Sequence, residues 1–153
     1  MEPRLNYAKL GPEPVKAMTR LGAYLENCGL EKSLLELVKI RASQINGCAF
    51  CLDMHTKDAR AEGETEQRLY LLSAWRETPF FTERERAALA WAEAVTLIGG
   101  GVPDEVYAEV SPHFTEQELS DLTWAVVTIN GWNRVAISFR AVPGTYQPSK
   151  THA

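Results

Sequence analysis

Long apolar runs are missing from this sequence of 153 residues, and nothing in it approaches the ~20 consecutive apolar residues of a membrane-spanning helix. Runs of Lys and Arg are missing too, and the formal net charge of -4 is spread over mixed-sign segments. No stretch can therefore neutralise a phosphate backbone, which argues against nucleic-acid binding. The opening residues, MEPRLNYAKLGPEP, have no basic stretch followed by an apolar one, so no secretory signal is visible and a cytoplasmic location is expected. Cysteine is sparse, with Cys28, Cys48 and Cys51 only. That is too few for a disulfide-stapled secreted domain. In a reducing compartment, one close pair points instead to thiol chemistry or metal binding.

What is present is ordinary globular composition, 45% hydrophobic and 24% charged, at a length that suits one domain. A core is expected over about 15–142, with 143–153 as a tail of loop composition that frays or drapes over a neighbour. Helical punctuation recurs and strand-like alternation is scarce, so the fold class is all-α. Helices are predicted from about 14 to 28, over EKSLLELVKIRASQING to a stop at Asn46-Gly47, and from Cys48 to Gly63, where Lys57 and Arg60 suit a C-terminal end. A further helix fits EQRLYLLSAW before Pro79. Thr82 to Glu85 and Thr115 to Glu118 read as capping boxes that open two more, with a short helix from Pro103-Asp104 to about 110 between them. The last helix contains a β-branched run, Val126 to Ile129, and Gly131, which costs a helix roughly 1 kcal/mol. Helix is preferred over strand there because a cap precedes it and apolar residues continue at helical spacing to Phe139.

The chemistry-bearing residues gather around Cys48-Ala-Phe-Cys51 at a predicted helix start. Residues three apart share a helix face, so the two sulfurs can close a disulfide, and the helix N-terminus stabilises a thiolate. His55 follows Cys51 by one turn on the same face. Glu36 lies on the preceding helix; if the two helices fold back about Asn46-Gly47, it comes about one turn from His55. A relay from Glu36 to His55 to Cys51 follows. Other readings stand beside it. Ser33-Leu-Leu-Glu36 is itself a capping box, which would explain Glu36 without catalysis. Cys48, Cys51 and His55, with Cys28 or Glu36, offer four zinc ligands, though neither a second CxxC nor paired histidines support them. Cys28 reads as a packing residue, and Asn130, Asn133 and Arg134 as either site neighbours or satisfied core polar groups. Trp75, Trp91, Trp124 and Trp132 read as core or interface.

Glu36, Cys48, Cys51 and His55 form the pattern E-x11-C-x2-C-x3-H within LLELVKIRASQINGCAFCLDMHTKDARAEG. This resembles the core region of the AhpD-like alkylhydroperoxidase and carboxymuconolactone decarboxylase superfamily, and the downstream INGWNR is similar to a segment of its shorter members. The resemblance implies an all-α homo-oligomer, a trimer or hexamer, acting as a thiol-dependent peroxidase on organic hydroperoxides without cofactor or metal. It implies that Cys51 attacks the peroxide and becomes a sulfenic acid. Cys48, nearer solvent, would resolve it as a disulfide and meet a dithiol reductant such as lipoamide or a thioredoxin-like protein. Glu36 and His55 would carry the activating proton. Two features depart from the family pattern. Phe50 stands where the peroxidases carry a histidine, and the motif lies in the first third of the chain. The cysteine pair argues against lactone decarboxylation. Alternatives are a dithiol-disulfide oxidoreductase or peroxide sensor, and a non-catalytic oligomeric binding protein with structural or zinc-bound cysteines.

Overall fold

The computed structural model describes residues 2–148; Met1 and residues 149–153 of the tail lie outside the described residues. The described chain is helical without strands, as expected. Its elements are α1 (Tyr7–Leu10), α2 (Pro12–Leu25), α3 (Lys32–Asn46), α4 (Ala49–Ala61), α5 (Glu66–Leu71), α6 (Glu83–Thr96), α7 (Asp104–Val110) and α8 (Glu116–Phe139), with short 3-10 turns after α5, α6 and α7. No helix among them is long and apolar enough to cross a membrane.

The packing centres on α3, which lies against α4, α6 and α8. Its apolar residues extend beyond the single stripe expected of a half-buried helix. Leu35, Leu37, Val38 and Ile40 are each at most 1% exposed, so neighbours cover it from several sides. α8 is a helix throughout, and Gly131 has a packing reason: a β-carbon there would lie 3.0 Å from Met18 Cε of α2. The glycine leaves room for the end of the Met18 side chain. Only one side of α8 is buried, however; Trp124, Val127 and Ile137 are exposed on the other.

Both predicted capping boxes form, Thr82 with Glu85 and Thr115 with Glu118, each with reciprocal side-chain to backbone bonds. The proposed Ser33–Glu36 box does not. α3 starts at Lys32, behind Glu31 with no side-chain cap, so Ser33 is already inside the helix. Two boundaries also differ. α2 stops at Leu25 rather than about 28, leaving Cys28 in the following turn against the core. EQRLYLLSAW is not one helix, because after Leu71 the chain tightens into a 3-10 turn kinked at Ala74, which buries Leu72 and Trp75.

A polar knot ties α3 to α6. Glu93 Oε1 accepts from Arg41 Nε at 2.7 Å and from Trp75 Nε1 at 2.8 Å, while Oε2 accepts from Arg76. Burial pushes the Glu93 carboxyl up, but bonds from Trp75, Arg76 and Arg41 outweigh that and hold it below its ordinary value. A carboxylate with a depressed native pKa stabilises the fold above its unfolded value and loses that contribution as pH falls through the native one. Glu93→Ala should therefore lower the unfolding free energy by about 2–4 kcal/mol in urea at neutral pH, by stranding Arg41 half-buried. The difference from wild type should shrink in acid, below the ordinary carboxylate range near about 4. Equal losses at both pH values would assign the effect to packing alone.

Candidate functional site

The turn between α3 and α4 sets the site. Gly47 ends α3 in the left-handed region at φ 70°, where a side chain is strained. Cys48 then caps α4, and its Sγ accepts the Cys51 N–H at 3.4 Å. The two sulfurs are 2.6 Å apart, close to the ~2.05 Å of a disulfide, and both are free thiols. Each residue is 1% exposed, so Cys48 is not nearer solvent than Cys51, because α3, α8 and its own cap position enclose it.

Backbone N–H groups at the helix N-terminus favour the anion of both sulfurs, but the two thiols shift in opposite directions. The Cys48 thiol is lowered to about 7, first by the hydrogen bond from Cys51 and then, against the cost of burial, by backbone N–H groups and the Asn133 amide. The Cys51 thiol is raised, because it donates to Cys48 and is desolvated. These shifts favour the anion at Cys48 over Cys51, the residue that the resemblance makes the attacking thiolate. The reason is local: the cap position belongs to Cys48, while Cys51 lies inside the first turn.

The antiparallel α3–α4 hairpin forms and brings Glu36 to His55, with Oε2 2.9 Å from Nδ1. Glu36 Oε1 accepts from Lys39 Nζ at 2.7 Å, and the same ammonium donates to Glu26 at 2.7 Å. Glu36 is 6% exposed. Burial raises its carboxyl, yet His55 and Lys39 together bring it below the ordinary value, so it stays charged. Its partners are on the neighbouring helix and one turn along its own, which is why the capping role fails.

Cys51 and His55 line one cavity of about 290 Å³, with Tyr7, Leu25, Phe50, Met54 and Trp132 among the other walls; Cys48 is outside that lining. Since Glu36 holds Nδ1 of His55, Nε2 is the ring nitrogen left for the cavity. Phe50 presents an apolar wall where a histidine would have brought a second imidazole.

Sequence reasoning left Asn133 undecided and did not single out Tyr7 or the cavity role of Trp132. Asn133 is fully buried; it accepts from Asn46 Nδ2 at 2.9 Å, donates to Ser43 Oγ at 3.0 Å, and its amide lowers both thiols. The segment INGWNR pointed to it without a role. Tyr7 arrives through the N-terminal segment, stacked on Phe139, a long-range contact with no local signal.

The zinc reading of the cysteine pair does not fit the donors. Among the described residues, the side chains that converge for a metal are Glu36, His55 and Asp58, within 4.8 Å of one another, and the sulfurs and Cys28 are not in that set. Lys39 already sits on Glu36, which opposes a cation there.

Residues 12–94 match the family described as "Carboxymuconolactone decarboxylase family". The uncharacterized protein YdfG of Bacillus subtilis is 46% identical over 139 residues, covering 90% of this chain and 95% of YdfG. YnjA of Escherichia coli, also uncharacterized, is 31% identical over 84 residues, 55% of this chain and 46% of YnjA. A crystal structure is known for ATU0492 of Agrobacterium tumefaciens, a protein of unknown function suggested to be the antioxidant defence protein AhpD. It superposes with a TM-score of 0.91 at 46% identity, covering 95% of this chain and 100% of that one. An alkylhydroperoxidase AhpD core protein of Ralstonia eutropha shares the fold, with a TM-score of 0.80 at 20% identity over 90% of this chain and 74% of its own. By the matched family region and the shared helical architecture, the chain belongs to the carboxymuconolactone decarboxylase family and has the AhpD-like fold.

Proposed function

We propose that this protein is a dithiol peroxidase that reduces organic hydroperoxides through a Cys51 sulfenic acid and a Cys48–Cys51 disulfide. The observation that carries the reading is that Cys51, one turn from His55, opens on an apolar-walled cavity while a second sulfur waits 2.6 Å behind it. Cys51 loses its proton to His55 or to the Cys48 thiolate and attacks the peroxide O–O bond, and His55 returns a proton to the leaving alkoxide. The sulfenic acid is then met by Cys48, whose low pKa favours a thiolate ready to displace hydroxide. Glu36 orients His55 through Nδ1 and stabilises charge on the ring.

The apolar walls from Phe50, Met54 and Trp132 favour a hydroperoxide with a hydrocarbon body over hydrogen peroxide. The burial of both sulfurs favours a small dithiol such as lipoamide, entering by the cavity and attacking Cys51, over a thioredoxin-like protein. The exposed apolar face of α8, with Trp124, Val127 and Ile137, supports a homo-oligomeric working unit.

Cys51→Ser should abolish consumption of cumene hydroperoxide, and Cys48→Ser should leave a sulfenic acid that dimedone traps at Cys51. Retained turnover in Cys51→Ser would overturn the reading. Glu36→Gln should slow formation of the disulfide on the order of 100-fold at neutral pH, measured at a temperature where the variant is folded, and should also lower the thermal unfolding midpoint because Lys39 loses its buried carboxylate partner. Thiolate ultraviolet absorbance should rise in one step near pH 7. That step should vanish in Cys48→Ser and move to higher pH in Cys51→Ala, which lacks the hydrogen bond to Cys48. A step that survives in Cys48→Ser would return the resting thiolate to Cys51.

A further inference from the structure

The oxidising half of this cycle is short of one proton. With Cys48 ionised and Cys51 protonated, the state that their opposite shifts favour, the reduced pair holds a single proton. Hydroperoxide, thiolate, thiol and one further proton give the disulfide, an alcohol and water. The O–O bond breaks as the S–S bond forms, and the two sulfurs supply the electron pair. The alcohol and water together carry three hydrogens, of which the hydroperoxide brings one and Cys51 another. The third must come from solvent. Yet both cysteines are 1% exposed and His55 8%. The cavity is filled by substrate during the reaction, and of its charged walls Lys39 and Glu26 are bonded to each other, with Lys39 also held by Glu36.

We propose that Asp58, held in place by the Tyr146 hydroxyl, is the port through which this proton reaches His55. The inference rests on the peroxidase reading above and concerns residues outside its motif. Asp58 lies on α4 just beyond His55 and is partly exposed. Its carboxylate, a His55 ring nitrogen and a Glu36 oxygen lie within 4.8 Å of one another, a gap that one water spans. Glu36 cannot serve as the port itself. Its Oε1 is taken by Lys39 and its Oε2 by His55, and it is buried.

The C-terminal segment fixes this arrangement by lying along α4. Gly144 N–H donates to Asp53 Oδ2 at 2.9 Å, Lys57 Nζ donates to the Tyr146 carbonyl at 3.1 Å, and Tyr146 OH donates to Asp58 Oδ1 at 2.7 Å. One Asp58 oxygen is thus held by Tyr146, on a residue that is partly exposed. The Tyr146 hydroxyl is pushed up to about 12, by burial and then by Asp58, so it remains a donor at neutral pH. The ionisable groups around Asp58 are His55 on α4, Glu36 and Lys39 on α3, and Tyr146 on the segment above; Lys57 is engaged by Asp53. Neither Asp58 nor Tyr146 touches substrate; both act through His55 as positioning residues.

The test is single-turnover oxidation of the reduced full-length protein by stoichiometric cumene hydroperoxide, quenched and read by mass spectrometry as Cys48–Cys51 disulfide across a pH series. Asp58→Asn should slow closure by about 10-fold at neutral pH, with the deficit growing as pH rises. Added imidazole buffer should restore the rate in proportion to its concentration while leaving wild type unchanged. Asp58→Glu should recover part of the rate, and Tyr146→Phe should give a smaller loss with the same pH trend. A wild-type pH profile in Asp58→Asn, or a loss that is equal at every pH and indifferent to imidazole, would overturn the port and leave the peroxidase reading standing. If Asp58→Asn does not fold, Tyr146→Phe decides by the same two criteria. A wild-type protein that forms no disulfide would overturn both.

Discussion

Glu36 is a carboxylate taken out of water on the central helix of the molecule, and much of the surrounding architecture answers that burial. A lone buried charge would neutralise or unfold its surroundings, so it has to be matched by cations and donors within hydrogen-bond distance. Lys39 supplies one from the next turn of α3, and because Lys39 also reaches Glu26, the end of α2 is drawn to the same point. His55 supplies the other and requires α4 to fold back along α3. Gly47 makes that reversal possible, and the reversal puts Cys48 at the head of α4 and Cys51 beside the cavity. The charge on one side chain thus constrains the hairpin, the imidazole and, through the imidazole, the sulfur that faces the cavity.

The two cysteines are chemically unlike although they are three residues apart and equally buried. Cys48 occupies the cap, where backbone N–H groups and the Cys51 thiol favour its anion; Cys51 occupies the first turn, where it donates and is desolvated. Cavity access has the opposite order, since Cys51 is in the lining and Cys48 is not. Under the proposed cycle this separation is productive: the sulfur that meets the peroxide must be activated there by a neighbouring base, while the resolving sulfur is already ionised. Asn133, between α3 and the pair, completes the set by bonding Asn46 and Ser43 while it favours both anions.

Most of the helices were legible because their signals are local. Threonine with glutamate three residues on satisfies backbone groups of its own first turn, and both such boxes form. Ser33 with Glu36 has the same spelling and fails, because Glu36 finds stronger, charged partners across the hairpin than a neutral backbone N–H would be. The long C-terminal segment is a helix in spite of its β-branched run and Gly131, opened by its capping box and packed against α3 and α6. The break after Leu71 had no such signal; it follows from burying Leu72 and Trp75 together. Of the site, the motif residues were legible and the cavity walls were not, because Tyr7, Trp132 and Asn133 come from the two ends of the chain.

By itself the sequence determined the helical class, the turn at Gly47, and the spacing that brings Glu36, His55 and the cysteine pair to one hairpin, because these follow from helix period, caps and conformational preference within a few residues. Only the tertiary structure decided which sulfur occupies the cap and is favoured as the anion, which one meets the cavity, and that a C-terminal tyrosine anchors Asp58 beside His55. Those outcomes depend on desolvation and on hydrogen bonds between groups up to about ninety residues apart, such as Tyr146 on Asp58, and neither is encoded in local spacing.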